Sequence, residues 1–144
     1  DDLFVAVVRR RAEANVARME EALASDEPLR AWWRLASDRR GTGLFVELIA
    51  AANHRPALQA VVGEFARDVR RMQVTRLSEL ADEYALDPDV LPPALVAAGM
   101  HGLGFALVTD QTSGFDTATD EVAAGMDRLL DRLEARRRER QAKL

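Results

Sequence analysis

Few side chains in this sequence have the chemistry of a catalytic or metal-binding residue. The chain has 144 residues, no cysteine and two histidines, His54 and His101, which lie 47 positions apart. Without cysteine there is no disulfide framework, no thiolate metal site and no thiol nucleophile. Two histidines this far apart do not supply the clustered ligands of a zinc site. We therefore expect the protein to hold no metal ion and no other cofactor.

The sequence motifs of common enzyme classes are also missing from this sequence. Neither histidine follows a glutamate by three residues, as the ligand pairs of a di-iron helical bundle require. Gly102-Leu103-Gly104 lacks the further glycine of a dinucleotide-binding loop, and residues 41–43 (GTG) lack the Gly-Lys-Ser/Thr ending of a phosphate loop. No Gly-x-Ser-x-Gly elbow marks a serine nucleophile. The sequence therefore predicts a protein that is not an enzyme.

The composition indicates an all-helical chain. Hydrophobic residues make up 48% of the sequence and are mostly alanine, leucine and valine, whereas aromatic residues make up 6%. Alanine and leucine are strong helix formers, and the chain has few of the aromatic residues that strands prefer. The net charge of −4 and the pI of about 5.2 argue against direct binding of nucleic acid. No apolar run reaches the roughly 18 residues of a membrane span and no signal peptide is evident, so we expect a cytoplasmic protein without a membrane partner.

Hydrophobic periodicity divides the chain into six helices with short connections. Pro28, Pro56 and Pro93 suit the first turn of a helix, because proline is tolerated there and not in the interior. Thr117, with Asp120 three residues later, matches a variant of the capping box at the start of the last helix. The fold class is therefore all-α, a six-helix orthogonal or antiparallel bundle. The predicted helices cover about residues 1–25, 28–39, 44–52, 56–86, 93–112 and 117–141.

Several polar side chains fall on faces that are otherwise apolar and predicted to point inward. Buried polar groups without a partner cost about 1–3 kcal/mol each, so such a set favours a pocket that holds a ligand or water. A plain solid core is the alternative interpretation. The candidate ligand-binding residues combine aromatic, aliphatic and polar side chains: Asn15, Trp33, Phe45, Ile49, Phe65, Val69, Met72, His101 and Phe105.

The fifth predicted helix is almost free of charge, and from Ala94 to Thr109 its only ionisable side chain is that of His101. Small residues recur along it at every fourth position. A helix that is apolar all round is buried on all sides, which a small six-helix domain cannot easily achieve alone. We therefore expect a two-fold homodimer in which the last two helices of each subunit form a four-helix bundle; ordinary burial within one chain is the alternative. The candidate interface residues are Ala94, Ala98, Gly102, Ala106, Val122, Met126, Leu129 and Leu133.

Three segments carry a resemblance to a known family. They are residues 1–8 (DDLFVAVV), residues 45–58 (FVELIAAANHRPAL) and residues 97–107 (AAGMHGLGFAL). In that order, they are similar to three parts of a known regulatory domain. These parts are the helix that follows the DNA-binding head, the junction before the long helix and the dimer-forming penultimate helix. Over essentially all 144 residues, the chain resembles the C-terminal regulatory domain of the tetracycline-repressor (TetR) family of transcription regulators.

The resemblance implies that residues 1–144 form an effector-binding and dimerisation domain, the regulatory half of a transcriptional repressor. A small apolar or amphipathic effector would enter a cavity between the first five helices. DNA would be a partner only through an N-terminal helix-turn-helix domain, which we expect upstream of Asp1 and outside this chain. The alternative function is a helical protein-interaction or dimerisation module with a solid core and no ligand.

Overall fold

Residues 2–115 and 117–143 are described by a computed structural model, and within these ranges the chain forms six α-helices and no strand. The all-α class and the number of helices predicted from the sequence are confirmed. None of the helices in these ranges combines the length and the apolar character needed to cross a membrane. The helices are α1 (Asp2–Leu23), α2 (Pro28–Ala36), α3 (Arg39–Ala52), α4 (Pro56–Tyr84), α5 (Pro93–Ser113) and α6 (Thr119–Gln141).

The start of α3 differs from the prediction. Residues 41–43 were expected to break the chain between two helices, but they lie inside the first turns of α3. Asp38 is the N-cap residue, and its carboxylate accepts hydrogen bonds from the backbone N–H groups of Arg40 (3.4 Å) and Gly41 (2.8 Å). This cap, together with packing of α3 on α4 and α5, outweighs the cost of about 1 kcal/mol for each helical glycine.

The predicted cap of the last helix is wrong. Helix α6 begins at Thr119, and Ala118 occupies the cap position with left-handed backbone angles (φ 62°). Thr117 is therefore separated from the helix and cannot cap it, since a capping threonine directly precedes the first helical residue. Asp120 and Glu121 still lie in the first turn, where the helix dipole favours negative charge.

Two separate apolar clusters form the core. The larger one joins α1, α2, α4, α5 and α6 around side chains such as Trp32, Leu77 and Leu130. The smaller one joins the beginnings of α1 and α4 to the end of α3, and consists of Val8, Ala52, Leu58 and Val61 with half-buried neighbours. The candidate functional site lies between the two clusters.

Helices α1 and α4 run side by side in the same direction and span both clusters. Near their beginnings Arg9 forms an ion pair with Glu64 (3.3 Å). Near the end of α1 the Arg76 Nε donates a hydrogen bond to the carbonyl oxygen of Leu23 (3.3 Å). This pair of helices therefore fixes the distance between the clusters.

Helices α2 and α5 approach each other closely at Gly104. A Cβ atom at this position would lie 2.5 Å from the carbonyl oxygen of Ala36 and 2.7 Å from its carbonyl carbon. Backbone atoms cannot move aside as a flexible side chain can, so only glycine permits this approach. Gly102, two residues earlier, has no atom within 4 Å of the corresponding position.

A buried polar network fastens the start of α2. The Tyr84 hydroxyl donates a hydrogen bond to Glu134 Oε2 (2.8 Å) and accepts one from the backbone N–H of Leu29 (3.4 Å). The other oxygen of Glu134 accepts a hydrogen bond from the backbone N–H of Arg30 (3.1 Å). Tyr84 and Glu134 are 0% and 1% exposed. The Glu134 side chain of α6 therefore caps the N-terminus of α2. The N-cap residue of α2, Glu27, makes no side-chain cap hydrogen bond itself.

The network predicts a stability that falls in alkaline solution. Burial, the hydrogen bond to Glu134 and the negative charge of Glu134 raise the pKa of Tyr84 above its ordinary value near 10. The folded chain therefore retains a proton that the unfolded chain releases, and stability is fully present below pH 10 and lost as the pH rises beyond it. Tyr84 is the only tyrosine, so phenolate absorbance should appear only as helical circular dichroism is lost.

The matched variant is Tyr84→Phe, which cannot ionise. It should lower the free energy of unfolding at neutral pH by about 1–3 kcal/mol, because Glu134 loses a donor, and should flatten the stability curve above pH 10. Appearance of phenolate near pH 10 in a chain that is still fully helical would contradict this account of the network.

Candidate functional site

A cavity of about 180 Å³ lies between α1, α2, α3, α4 and α5. Its walls are apolar for the most part, with a few polar and charged side chains among them. A cavity of about 150 Å³ lined by apolar side chains holds one benzene molecule, so this volume suits a ligand about the size of a single aromatic ring. The cavity borders the larger cluster through Trp32 and Met19.

Helix α4 contributes the longest wall. Phe65, Val69, Arg70 and Gln73 follow one another at i, i+4, i+5 and i+8, which places them on one face of the helix. At 1.5 Å per residue, Phe65 and Gln73 lie about 12 Å apart along the helix axis. The cavity therefore has an aromatic end near Phe65 and a polar end near Gln73.

The aromatic end is built from α3, α4 and α5. The Phe45 ring stands edge-to-face against the Phe65 ring, with 5.9 Å between their centroids. The His101 imidazole lies 6.2 Å from the Phe45 ring, also edge-to-face, and 6.4 Å from the Phe105 ring, on which it stacks. Such pairs stabilise each other by about 0.5–1.5 kcal/mol beyond the area that they bury, which keeps this wall in place without a ligand.

The imidazole of His101 is held in its neutral form at neutral pH. Burial lowers the pKa of His101 below its ordinary value, and the positive charge of Arg70 lowers it further. Since a neutral imidazole offers one N–H donor and one acceptor, His101 adds polarity to the cavity but no charge.

A second, smaller cavity of about 30 Å³ adjoins the first. The two share Asn15, Gly41, Phe45 and Phe65, and the second extends toward Val8 and other side chains of the smaller cluster. The aromatic end of the site therefore continues into a narrow apolar recess rather than ending at the phenylalanines.

Five of the nine ligand-binding residues predicted from the sequence line the cavity: Asn15, Phe45, Phe65, Val69 and His101. The other four lie elsewhere. Trp33 is buried in the larger cluster, and Met72 is half-buried against that cluster. Ile49 is 37% exposed, and Phe105 stacks on His101 without reaching the cavity wall.

Two of these four residues, Trp33 and Met72, lie one position away from a residue that lines the cavity. Trp32, and not Trp33, faces the cavity from α2, and Gln73, and not Met72, faces it from α4. One residue along a helix turns the side chain by about 100°, so a neighbour points to a different surface. The spacing of Phe65 and Val69 already indicated Gln73, since the next member of that series is four residues later.

Sequence reasoning missed the charged residues of the site. Arg18, Asp38 and Arg70 line the cavity beside apolar residues, and Thr42 lines it while donating its hydroxyl hydrogen to the carbonyl oxygen of Ala36 (3.0 Å). A charged residue on a helix is usually solvated, so type alone gives no signal. The available signal was spacing, because Arg70 precedes Gln73 by three residues and so shares its face of α4.

The predicted dimer residues divide into two groups. Ala94, Ala98, Gly102 and Ala106 all lie on the exposed side of α5 in the single chain. On α6, Val122 and Leu129 are 39% and 49% exposed, whereas Met126 is 8% exposed and Leu133 is half-buried, both in the chain's own larger cluster. Met126 therefore belongs to the internal core.

Comparison with known proteins gives no match for this chain: no protein-family model, no curated protein and no solved structure is similar to it. Among the residues that the structure describes, no group of three or more histidine or acidic side chains could hold a metal ion.

Proposed function

We propose that this chain senses a small effector and forms a homodimer, as the regulatory half of a transcription regulator of the TetR type. The observation that carries the proposal is the cavity, which is lined by five helices, borders the larger cluster and continues through the smaller cavity to the smaller cluster. A site with mainly apolar walls and a few convergent polar groups is typical of small-molecule binding. The alternative module with a solid core has less support, because the space between the clusters is not filled by side chains.

Helix α1 is the element through which binding would act. Asn15, Arg18 and Met19 of α1 line the cavity, so a bound molecule contacts this helix directly. An effector shifts an equilibrium only when it prefers one of the two poses of the helix. In the proposed regulator, α1 would pass that shift to a DNA-reading domain upstream of Asp1. Repression of transcription and its release by the effector belong to this proposal.

The dimer is proposed on the exposed apolar surface of α5 and α6. Around the stripe of small residues on α5, Leu95 and Leu103 are 52% and 43% exposed, and Leu129 of α6 is 49% exposed. Contiguous exposed apolar surface of this kind marks interaction sites. Small residues at every fourth position allow a second helix to approach closely, which suits a two-fold packing of α5 and α6 against their copies.

The effector proposal predicts binding of small aromatic compounds to the chain. At a concentration one hundred times its dissociation constant, a ligand such as indole or benzyl alcohol should stabilise the fold by about 2.7 kcal/mol, roughly 5–10 °C in melting temperature. Phe65→Ala should weaken binding, because it removes a wall. Met72→Ala, on the same helix but off the cavity, should leave the affinity unchanged. Equal affinities for both variants would contradict the site. So would the absence of a melting-temperature shift with a panel of small neutral aromatic compounds.

The dimer proposal predicts a mass of 32 kDa, twice the 16.0 kDa of one chain, in sedimentation equilibrium. Gly102→Leu should give monomers with an unchanged helical spectrum, since the position is open in the single chain and only a partner helix would be displaced. Ala60→Leu, which introduces the same side chain on the exposed side of α4, is the control and should remain dimeric. A monomeric wild-type chain at micromolar concentration would overturn the proposal.

A further inference from the structure

The polar end of the cavity contains groups that the chain itself does not satisfy. Gln73 is 2% exposed and lines the cavity, yet its side-chain amide takes part in none of the hydrogen bonds found among the described residues. The atoms of this amide are not among the fully buried polar atoms without a partner, so they stay accessible from the cavity and can bind a ligand or water there. The Gln73 amide therefore offers hydrogen-bonding groups to a molecule held in the cavity.

Two arginines at the same cavity also have no acidic partner. Arg18 donates a hydrogen bond to Asn15 Oδ1, and neither Arg18 nor Arg70 lies within 4 Å of a carboxylate in the described part of the chain. Arg70 is half-buried, so its charge is partly removed from water without compensation. By contrast, the neighbouring Arg71 is exposed and pairs with Asp68 (3.8 Å).

The single acidic side chain on the wall is already engaged. Asp38 accepts two backbone N–H groups as the cap of α3, so its carboxylate is directed to that helix. His101 contributes no positive or negative charge at neutral pH, for the reasons given above. The lining residues therefore carry two arginines against one acid, and this sum favours an anion over a cation.

We propose that the cavity binds a small carboxylic acid in its ionised form, with a compact aromatic body. The carboxylate lies at the polar end with Arg70, Arg18 and the Gln73 amide, which can all donate hydrogen bonds to it. The ring lies at the aromatic end against Phe45 and Phe65. This inference rests on the proposed effector function and names the chemical class of the effector.

The volume and the length of the cavity agree with a small aromatic carboxylate. The volume of about 180 Å³ exceeds that of a benzene site by about the volume of one small substituent. The 12 Å between Phe65 and Gln73 along α4 accommodates a ring at one end and a carboxylate at the other. A fatty acid with a long chain would not fit, and acetate would leave the aromatic end empty.

The test is a calorimetric titration of the whole chain with three aromatic probes of similar size and one smaller acid. Benzoate carries the proposed chemistry, benzamide is its neutral isostere, benzylamine is a cation and acetate lacks the ring. We expect benzoate to bind about tenfold or more tightly than benzamide, because it makes charge-assisted hydrogen bonds, and expect the weakest binding from benzylamine and acetate. Added salt should weaken benzoate binding more than benzamide binding.

Variants of adjacent arginines provide the matched comparison. Arg70→Gln should lower the affinity for benzoate about tenfold and leave that for benzamide almost unchanged, whereas Arg71→Gln should change neither. Gln73→Leu, of similar volume, should also weaken benzoate binding. If Arg70→Gln fails to fold, the Gln73→Leu variant and the salt dependence of benzoate binding to the unaltered chain still test the carboxylate assignment.

The outcomes separate this inference from the proposed function. If benzamide or benzylamine binds as tightly as benzoate, or if Arg70→Gln and Arg71→Gln have the same effect, the carboxylate assignment is overturned while effector binding stands. If acetate binds as tightly as benzoate, the inference that the ligand carries an aromatic ring is overturned. If none of the four probes nor the neutral panel binds the folded chain, both the inference and the effector proposal fail.

Discussion

Glu134 reaches two other helices from the middle of α6, and the placement of the cavity depends on this carboxylate. One oxygen accepts the Tyr84 hydroxyl at the end of α4, and the other accepts a backbone N–H in the first turn of α2. Because α2 has only nine residues and no cap of its own, it would be marginal in isolation. The network holds its N-terminus against the long helix. From that anchor, the helix carries Trp32 to the cavity and Ala36 to Gly104.

The cavity is a consequence of how the two clusters are held apart. Helices α1 and α4 run in parallel through both clusters and contact each other near each end. Helix α3 crosses between them, with glycines at its start where the chain passes the cavity. The space that remains is lined by side chains that are fixed from outside it. Such a site exists before a ligand arrives, which keeps the cost of ordering it low.

The sequence was sufficient to predict the six helices, because their apolar periodicity and the prolines at their first turns are local signals. It was not sufficient where an element depends on a contact with a residue far along the chain. It was also not sufficient where one position along a helix decides which side chain faces the cavity. The start of α3 depends on one aspartate cap that outweighs two glycines, and the start of α6 depends on a left-handed alanine. Met72 and Gln73 differ by one position, and only the packed structure shows which of them faces the cavity. The role of Glu134 could not be predicted, since its partners lie 50 and 104 residues away.

Amide hydrogen exchange with and without saturating benzoate shows whether a ligand in the cavity acts on α1. We expect slower exchange in α1 around residues 15–19 and in α4 around residues 65–73, while exchange in α6 stays unchanged, because local opening of the cavity walls becomes costlier when the ligand is bound. Protection confined to α6, or to α4 without any effect on α1, would contradict it.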